Sequence, residues 1–87
     1  MPRPTDWPQA EEFCDARGLI CPEPVLRARQ ALKSMPAGAV LELVASDPHA
    51  ELDFEVFCHR TGHGLENHAR VADEYWFQIR RGRASSG

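Results

Sequence analysis

Polar and apolar positions along the chain change period several times, and each change marks an element. Glu11 to Asp15 is short, holds Phe13 and Cys14, and predicts a first strand, closed by a turn at Gly18. From Pro24 to Met35 the apolar positions are Val25, Ala28, Leu32 and Met35, with Ala31 beside them. Arg27, Arg29, Gln30, Lys33 and Ser34 fall on the opposite side, a helical spacing that ends at Pro36-Ala37-Gly38. Ala39 to Ser46 predicts a strand with Leu41, Leu43 and Ala45 on one face and Val40, Glu42 and Val44 on the other. Asp47-Pro48 predicts a helix start, a capping carboxylate followed by proline at the first helical position. That second helix runs to about Thr61, with Leu52, Phe54, Phe57, Cys58 and Thr61 inward and Gly62 as a left-handed C-cap. Gly64 to Val71 predicts a strand with Leu65, Ala69 and Val71 on one side and Glu66, His68 and Arg70 on the other. After a turn at Val71 to Glu74, the last strand reaches Arg80, with Tyr75, Phe77 and Ile79 inward and Trp76, Gln78 and Arg80 outward.

The resulting order is β-α-β-α-β-β. Two amphipathic helices must cover the one apolar face of the sheet, which predicts an α/β two-layer sandwich with a mixed four-stranded sheet and both helices on one face. The opposite, mostly polar face is expected to meet water, with Trp76 as its largest exposed apolar group. Residues 1–10 are proline-rich and read as an irregular lead-in, residues 11–81 as one domain, and residues 82–87 as a loose basic tail.

Composition narrows the partners. The chain has 87 residues, enough for one small domain, and its net charge of −3 argues against specific nucleic-acid binding held by charge. No apolar run approaches the ~20 residues that span a bilayer, so no membrane partner is expected. The N-terminal residues lack the apolar stretch of a secretory signal. Three cysteines are an odd, sparse set rather than a disulfide framework, which predicts a reducing, cytoplasmic setting.

The chemistry concentrates at Cys21, in the run Arg17-Gly18-Leu19-Ile20-Cys21-Pro22-Glu23-Pro24. An apolar strand ends there, a turn follows, and a helix begins, so the thiol is expected at the positive mouth of that helix. Free cysteines are most often buried and inert. Here the turn and two prolines oppose burial, because prolines leave the local backbone fewer hydrogen bonds with which to close over the side chain. The helix mouth favours an anion by roughly 0.3–1 kcal/mol, less than one pKa unit. Arg17 adds to that and Glu23 opposes it, so a modestly activated thiol is expected, with Arg17 and Glu23 tuning and framing the site. A thioredoxin-like dithiol is excluded because Pro24 stands where the second cysteine would be. Strand alternation sends Cys14 to the core. Cys58, His59, His63 and His68 lack metal-ligand spacing, so no metal site is expected: Cys58 reads as core and the histidines as surface or cap residues. Arg17, Arg27, Arg29 and Lys33 make the first helix region basic, while Glu51, Asp53 and Glu55 make the second helix acidic. Arg27 and Arg29 are thereby candidate contacts for an acidic rim on a partner.

The segment Cys14-Asp15-Ala16-Arg17-Gly18-Leu19-Ile20-Cys21-Pro22-Glu23-Pro24-Val25-Leu26 resembles the signature of the TusA (SirA-like) sulfur carriers, a Cys-Pro-x-Pro segment behind an Asp-x-Arg-Gly-Leu-like turn. Asp47-Pro48, the run Phe57 to His63 and the aromatic strand Tyr75-Trp76-Phe77 are similar as well, so the resemblance covers residues 12–81. It implies the β-α-β-α-β-β sandwich and a carrier cysteine, Cys21, that holds sulfane sulfur as a persulfide. Gly18, Pro22 and Pro24 then shape the turn that presents it. A cysteine desulfurase or rhodanese-like protein is implied as donor, and acceptors leading to tRNA thiolation, molybdenum-cofactor enzymes or sulfur metabolism. The chemistry is thiol–persulfide exchange of a sulfurtransferase-type carrier rather than a stand-alone enzyme, and needs no cofactor. The competing readings are a non-catalytic interaction module using the polar sheet face and Trp76, and a thiol redox sensor at Cys21.

Overall fold

The computed structural model describes Pro4 and residues 6–83; the readings above that fall on residues 1–3, 5 and 84–87 lie outside the described residues. The elements are β1 (Glu12–Ala16), α1 (Glu23–Lys33), β2 (Val40–Ala45), α2 (Ala50–Thr61), β3 (Gly64–Val71) and β4 (Glu74–Arg80). The sheet order is β1-β2-β4-β3. β1 and β2 run parallel, joined by α1 as the crossover, while β2–β4 and β3–β4 are antiparallel, so the sheet is mixed. Two-layer packing follows because the apolar stripes of both helices can be buried only on the sheet face that carries Leu41, Leu43, Ala45, Phe77 and Ile79. Ala28 and Leu32 enter from α1, and Phe54, Phe57 and Cys58 from α2. Phe54 is the centre of this layer, with its ring 4.7 Å from Phe77 and edge-on to Phe57 at 6.4 Å.

Local signals account for most boundaries. α1 begins at Glu23 with Pro22 as the N-cap residue and Pro24 in the first turn, one residue earlier than the rule for residues preceding proline implies. The reason is the turn in front of it: the Glu23 amide donates to Ile20 O at 2.8 Å, and Leu26 N donates to Pro22 O at 3.1 Å, so the chain is already coiled when it reaches Glu23. α1 ends at Lys33, and Met35 is buried from the turn beyond it. Gly62 closes α2 at φ +83°, as a left-handed C-cap whose amide donates to Cys58 O.

Five expectations are corrected. Leu52, expected inward on α2, is 63% exposed, because Phe54, Phe57 and Cys58 define the inner stripe and Leu52 falls outside it. In β3 a register shift between Leu65 and Asn67 puts Leu65 opposite Ile79 on the helix side but Ala69 opposite Trp76 on the far side. Leu65, Ala69 and Val71 therefore do not share a face, because one extra residue reverses the alternation of every position after it. Trp76, expected exposed, is only 4% exposed. It lies beneath Phe13, the two rings 6.2 Å apart. Nor is the far face an open polar surface. Asn67 Nδ2 donates to Gln78 Oε1, and Gln78 Nε2 donates both to Glu42 Oε1 and to the carbonyl of Pro8 in the lead-in. This ladder crosses β3, β4 and β2 and leaves Gln78 and Glu42 buried. Finally, His63 is buried rather than a surface residue, with Nδ1 accepting the Gly82 amide at 2.8 Å.

Candidate functional site around Cys21

The turn after β1 is held from two directions. Gly18, at φ +82°, occupies the left-handed region that glycine enters without strain, and its amide donates to Ser46 Oγ at 2.9 Å. Three residues on, the Cys21 amide donates to Asp47 Oδ2 at 2.6 Å. Both acceptors belong to the loop between β2 and α2, so the two loops at this end of the sheet are stitched together with Cys21 at the seam. The Cys21–Pro22 peptide is cis. The thiol is exposed, flanked by Ile20, which is 74% exposed.

Asp47 has a wider role than the capping carboxylate expected of it. α2 starts at Ala50, with His49 in the N-cap position and no side-chain cap. Asp47 Oδ1 accepts the His49 amide at 3.0 Å and faces the His49 ring at 3.2 Å, which organises the turn leading into the helix. Its other oxygen is left for Cys21. Bonds from two amides hold the Asp47 carboxyl below the usual carboxylate range.

Two cavities open beside Cys21. A groove of about 580 Å³ runs between the helices and is lined by Cys21, Val25 and Arg29 on one side and Leu52, Val56 and Arg60 on the other. A second cavity, of about 560 Å³, lies between Ile20, Cys21, Asp47, His49 and Asp53. Asp53, in the first turn of α2, borders both. Sequence reasoning missed Asp53 as a site residue. Its position in a helix first turn reads as dipole compensation, and only the packing of α2 against α1 brings it to the thiol. Leu52 and Val56, the exposed apolar residues of α2, were likewise legible only once the inner stripe was known.

The electrostatics reverse the expected activation. The Cys21 thiol is pushed above its ordinary value, first by the neighbouring Asp53 carboxylate, then by loss of solvent and by the charge of Asp47. Arg17 does not counter them. Its guanidinium is bidentate on Asp15, at 2.9 and 2.8 Å, and reaches Glu74 at 3.1 Å. The pair pulls Asp15 down to about 2. Arg17 therefore ties the end of β1 to the start of β4 instead of facing the thiol. Glu23 pairs with Arg27 at 4.0 Å along the outside of α1. Of the two candidate partner-binding arginines, Arg29 shares the groove with Cys21 and Arg27 does not.

The other cysteines sit in different surroundings. Cys58 is buried in the core and desolvation pushes it up to about 11. Cys14 is half-buried against the core, and burial raises it. Among the described residues no three His, Cys, Asp or Glu side chains gather as a metal-ligand set. His68 pairs with Glu51 at 3.6 Å, and His59 is exposed. No described helix is long and apolar enough to cross a membrane.

The fold and the sequence that builds it have counterparts among known proteins. A crystal structure of a SirA-like protein from Desulfitobacterium hafniense superposes with a TM-score of 0.71, covering 83% of this chain and 99% of that one at 23% identity, and so shares the fold. A sulfur carrier protein TusA of Allochromatium vinosum is 39% identical over 71 residues, 82% of this chain and 93% of that protein. The sulfur carrier protein TusA of Pseudomonas fluorescens is 35% identical over 81 residues, 93% of this chain and 96% of its own length. A putative sulfur carrier protein of Neisseria meningitidis serogroup A is 52% identical over 54 residues, 62% of this chain and 73% of its own. The family model described as Sulfurtransferase TusA matches residues 12–81, which takes in every helix and strand of the fold and the whole Cys21 turn, and the chain belongs to the TusA family.

Proposed function

We propose that this chain carries sulfane sulfur as a persulfide on Cys21 Sγ and relays it from a donor protein to an acceptor protein. The carrier role rests on membership in the TusA family and on relatives named sulfur carrier proteins. The single observation that carries the assignment to Cys21 is that it is the exposed thiol among the three, whereas Cys58 is buried and Cys14 half-buried. Gly18, Pro22 and Pro24 shape the turn that presents it, Glu23 opens the helix behind it, and Arg17 steadies the strand end in front. The donor is of cysteine desulfurase or rhodanese type, and the acceptor leads to tRNA thiolation, molybdenum-cofactor assembly or sulfur metabolism. A reducing cytoplasm suits a carrier whose free thiol must survive between partners.

An interaction module built on an exposed Trp76 loses its basis, because that ring is buried.

Incubation with a cysteine desulfurase and cysteine, followed by intact-mass analysis, tests the proposal. Wild type should gain about 32 Da, one sulfur atom, on Cys21. Cys21→Ala should gain none. Sulfur on Cys14 or Cys58 in that variant, at the wild-type rate, would reassign the carrier residue.

A further inference from the structure

Parallel pairing sets Ala16 of β1 beside Ala45 of β2, so both strands leave the sheet at one edge and the residues after them are neighbours. Ser46 and Asp47 meet the turn there with two successive acceptors. Ser46 Oγ takes the Gly18 amide at 2.9 Å, and Asp47 Oδ2 takes the Cys21 amide at 2.6 Å. Only the second anchor holds the residue that bears the thiol. Asp47 is 8% exposed, so its carboxylate is no free surface charge. Oδ1 accepts the His49 amide at 3.0 Å and faces the His49 ring at 3.2 Å, while the Asp47 carbonyl accepts the Ala50 amide at the start of α2. One side chain thus ties the Cys21 backbone to a helix fixed in the core through Phe54, Phe57 and Cys58.

The double duty explains the residue type. Both amides are donors, so one short side chain must offer two acceptor oxygens. Serine offers one, enough for the amide two residues on but not for a second loop. Asparagine also offers one, and its NH2 group meets the other amide donor to donor. Resting on the reading of Cys21 as the carrier, we propose that Asp47 is the positioning residue of the carrier, fixing Cys21 against α2 so that a protein donor meets the sulfur in the attacking position. The exchange itself runs as Cys21–SH plus R–S–SH giving Cys21–S–SH plus R–SH. The donor S–S bond breaks, its electron pair stays on the donor sulfur, and that sulfur takes the thiol proton. Two folded proteins must bring the reacting sulfurs to roughly 3–3.5 Å, and a turn that swings spoils the alignment. A small persulfide approaches from any open direction and has no such requirement.

Wild type, Asp47→Ser and Asp47→Asn are compared, with Glu55→Gln, an exposed carboxylate of α2, as the control for lost charge. The donors are glutathione persulfide and the cysteine desulfurase that loads wild type, with the carrier concentration varied. Intact mass reads the gain of one sulfur, hydrogen exchange reads the Cys21 and His49 amides, and denaturant unfolding checks that each variant folds. In Asp47→Ser the Cys21 amide should exchange about tenfold faster while the His49 amide stays protected. The maximal loading rate from the desulfurase should fall about tenfold, with the half-saturating carrier concentration unchanged. Uptake from glutathione persulfide should be no slower than in wild type, since the charge of Asp47 only raises the thiol pKa. Asp47→Asn should move the same way by less, and Glu55→Gln should match wild type. A raised half-saturating concentration at full maximal rate would make Asp47 a donor contact. Equal slowing with both donors would make it a determinant of thiol reactivity. A Cys21 amide that stays protected, or loading rates that do not move, would show that the bond does not hold the turn. Each of these overturns the inference. If Asp47→Ser unfolds, Asp47→Asn decides; unfolding of both would make Asp47 a folding element and overturn it too. Failure of wild type to take sulfur on Cys21 from either donor would instead remove the carrier reading.

Discussion

The Cys21 amide donates to Asp47 Oδ2 at 2.6 Å, across 26 positions of sequence. This bond joins the loop that precedes α1 to the loop that precedes α2, and with Gly18 on Ser46 it makes the reactive turn a shared edge of both βα connections. The same arrangement surrounds the thiol with acceptors. The Asp53 carboxylate, loss of solvent and the charge of Asp47 together leave this exposed cysteine above its ordinary value.

Alkylation should rank the three cysteines. At pH 8 Cys21 should react first because it is exposed, but more slowly than an unstructured peptide thiol because its pKa is raised. Cys58, buried and held at about 11, should react only as the core opens. Peptide mapping after timed iodoacetamide exposure checks the order, and a Cys21 rate above that of the peptide would contradict the role given to the carboxylates.

Arg29 should matter more than Arg27 for partner encounter. Arg29 borders the groove beside Cys21, whereas Arg27 lies along the outer side of α1 with Glu23. Arg29→Glu should slow loading by a donor protein severalfold at low salt, with the gap closing as salt rises. Arg27→Glu should have the smaller effect. Loading rates at two ionic strengths decide it, and a salt-independent loss would point away from steering.

His63 should give the fold an acid limb. Burial and the charge of Arg81 lower its pKa, and its Nδ1 must stay unprotonated to accept the Gly82 amide. A histidine depressed in the folded state contributes stability that is fully present above the unfolded value near ~6.5 and is lost as pH falls toward the folded value. Unfolding titrations between pH 7.5 and ~5 should show stability falling, and His63→Gln should flatten that slope. Gly82 contributes to the same closure, since a Cβ there would meet the Gly62 carbonyl oxygen at 2.5 Å.

Gln78 should be the costliest polar residue to remove. Its amide serves Asn67, Glu42 and Pro8 together while fully buried. Gln78→Ala should destabilise the protein by about 1–3 kcal/mol, the cost of leaving buried polar groups without a partner. Denaturant unfolding measures the loss, and hydrogen exchange should show residues 8–11 released from the sheet face.

Much of this molecule was legible in its residues. Element order, the Gly62 cap and the aromatic inner face of β4 follow from local periodicity and from the few backbone conformations that glycine and proline allow. The exposed turn that holds Cys21 was legible for the same reason, because a turn and two prolines act on their own neighbours. What needed the assembled fold is everything set by distant residues. One inserted position in β3 moved Ala69 and Val71 to the far face, Phe13 packed over Trp76, and Arg17 went to Glu74 rather than to the thiol. The protonation of Cys21 belongs to this second group: electrostatic energy depends on separation in space, and Asp47 and Asp53 come near only when the two helices pack on one sheet.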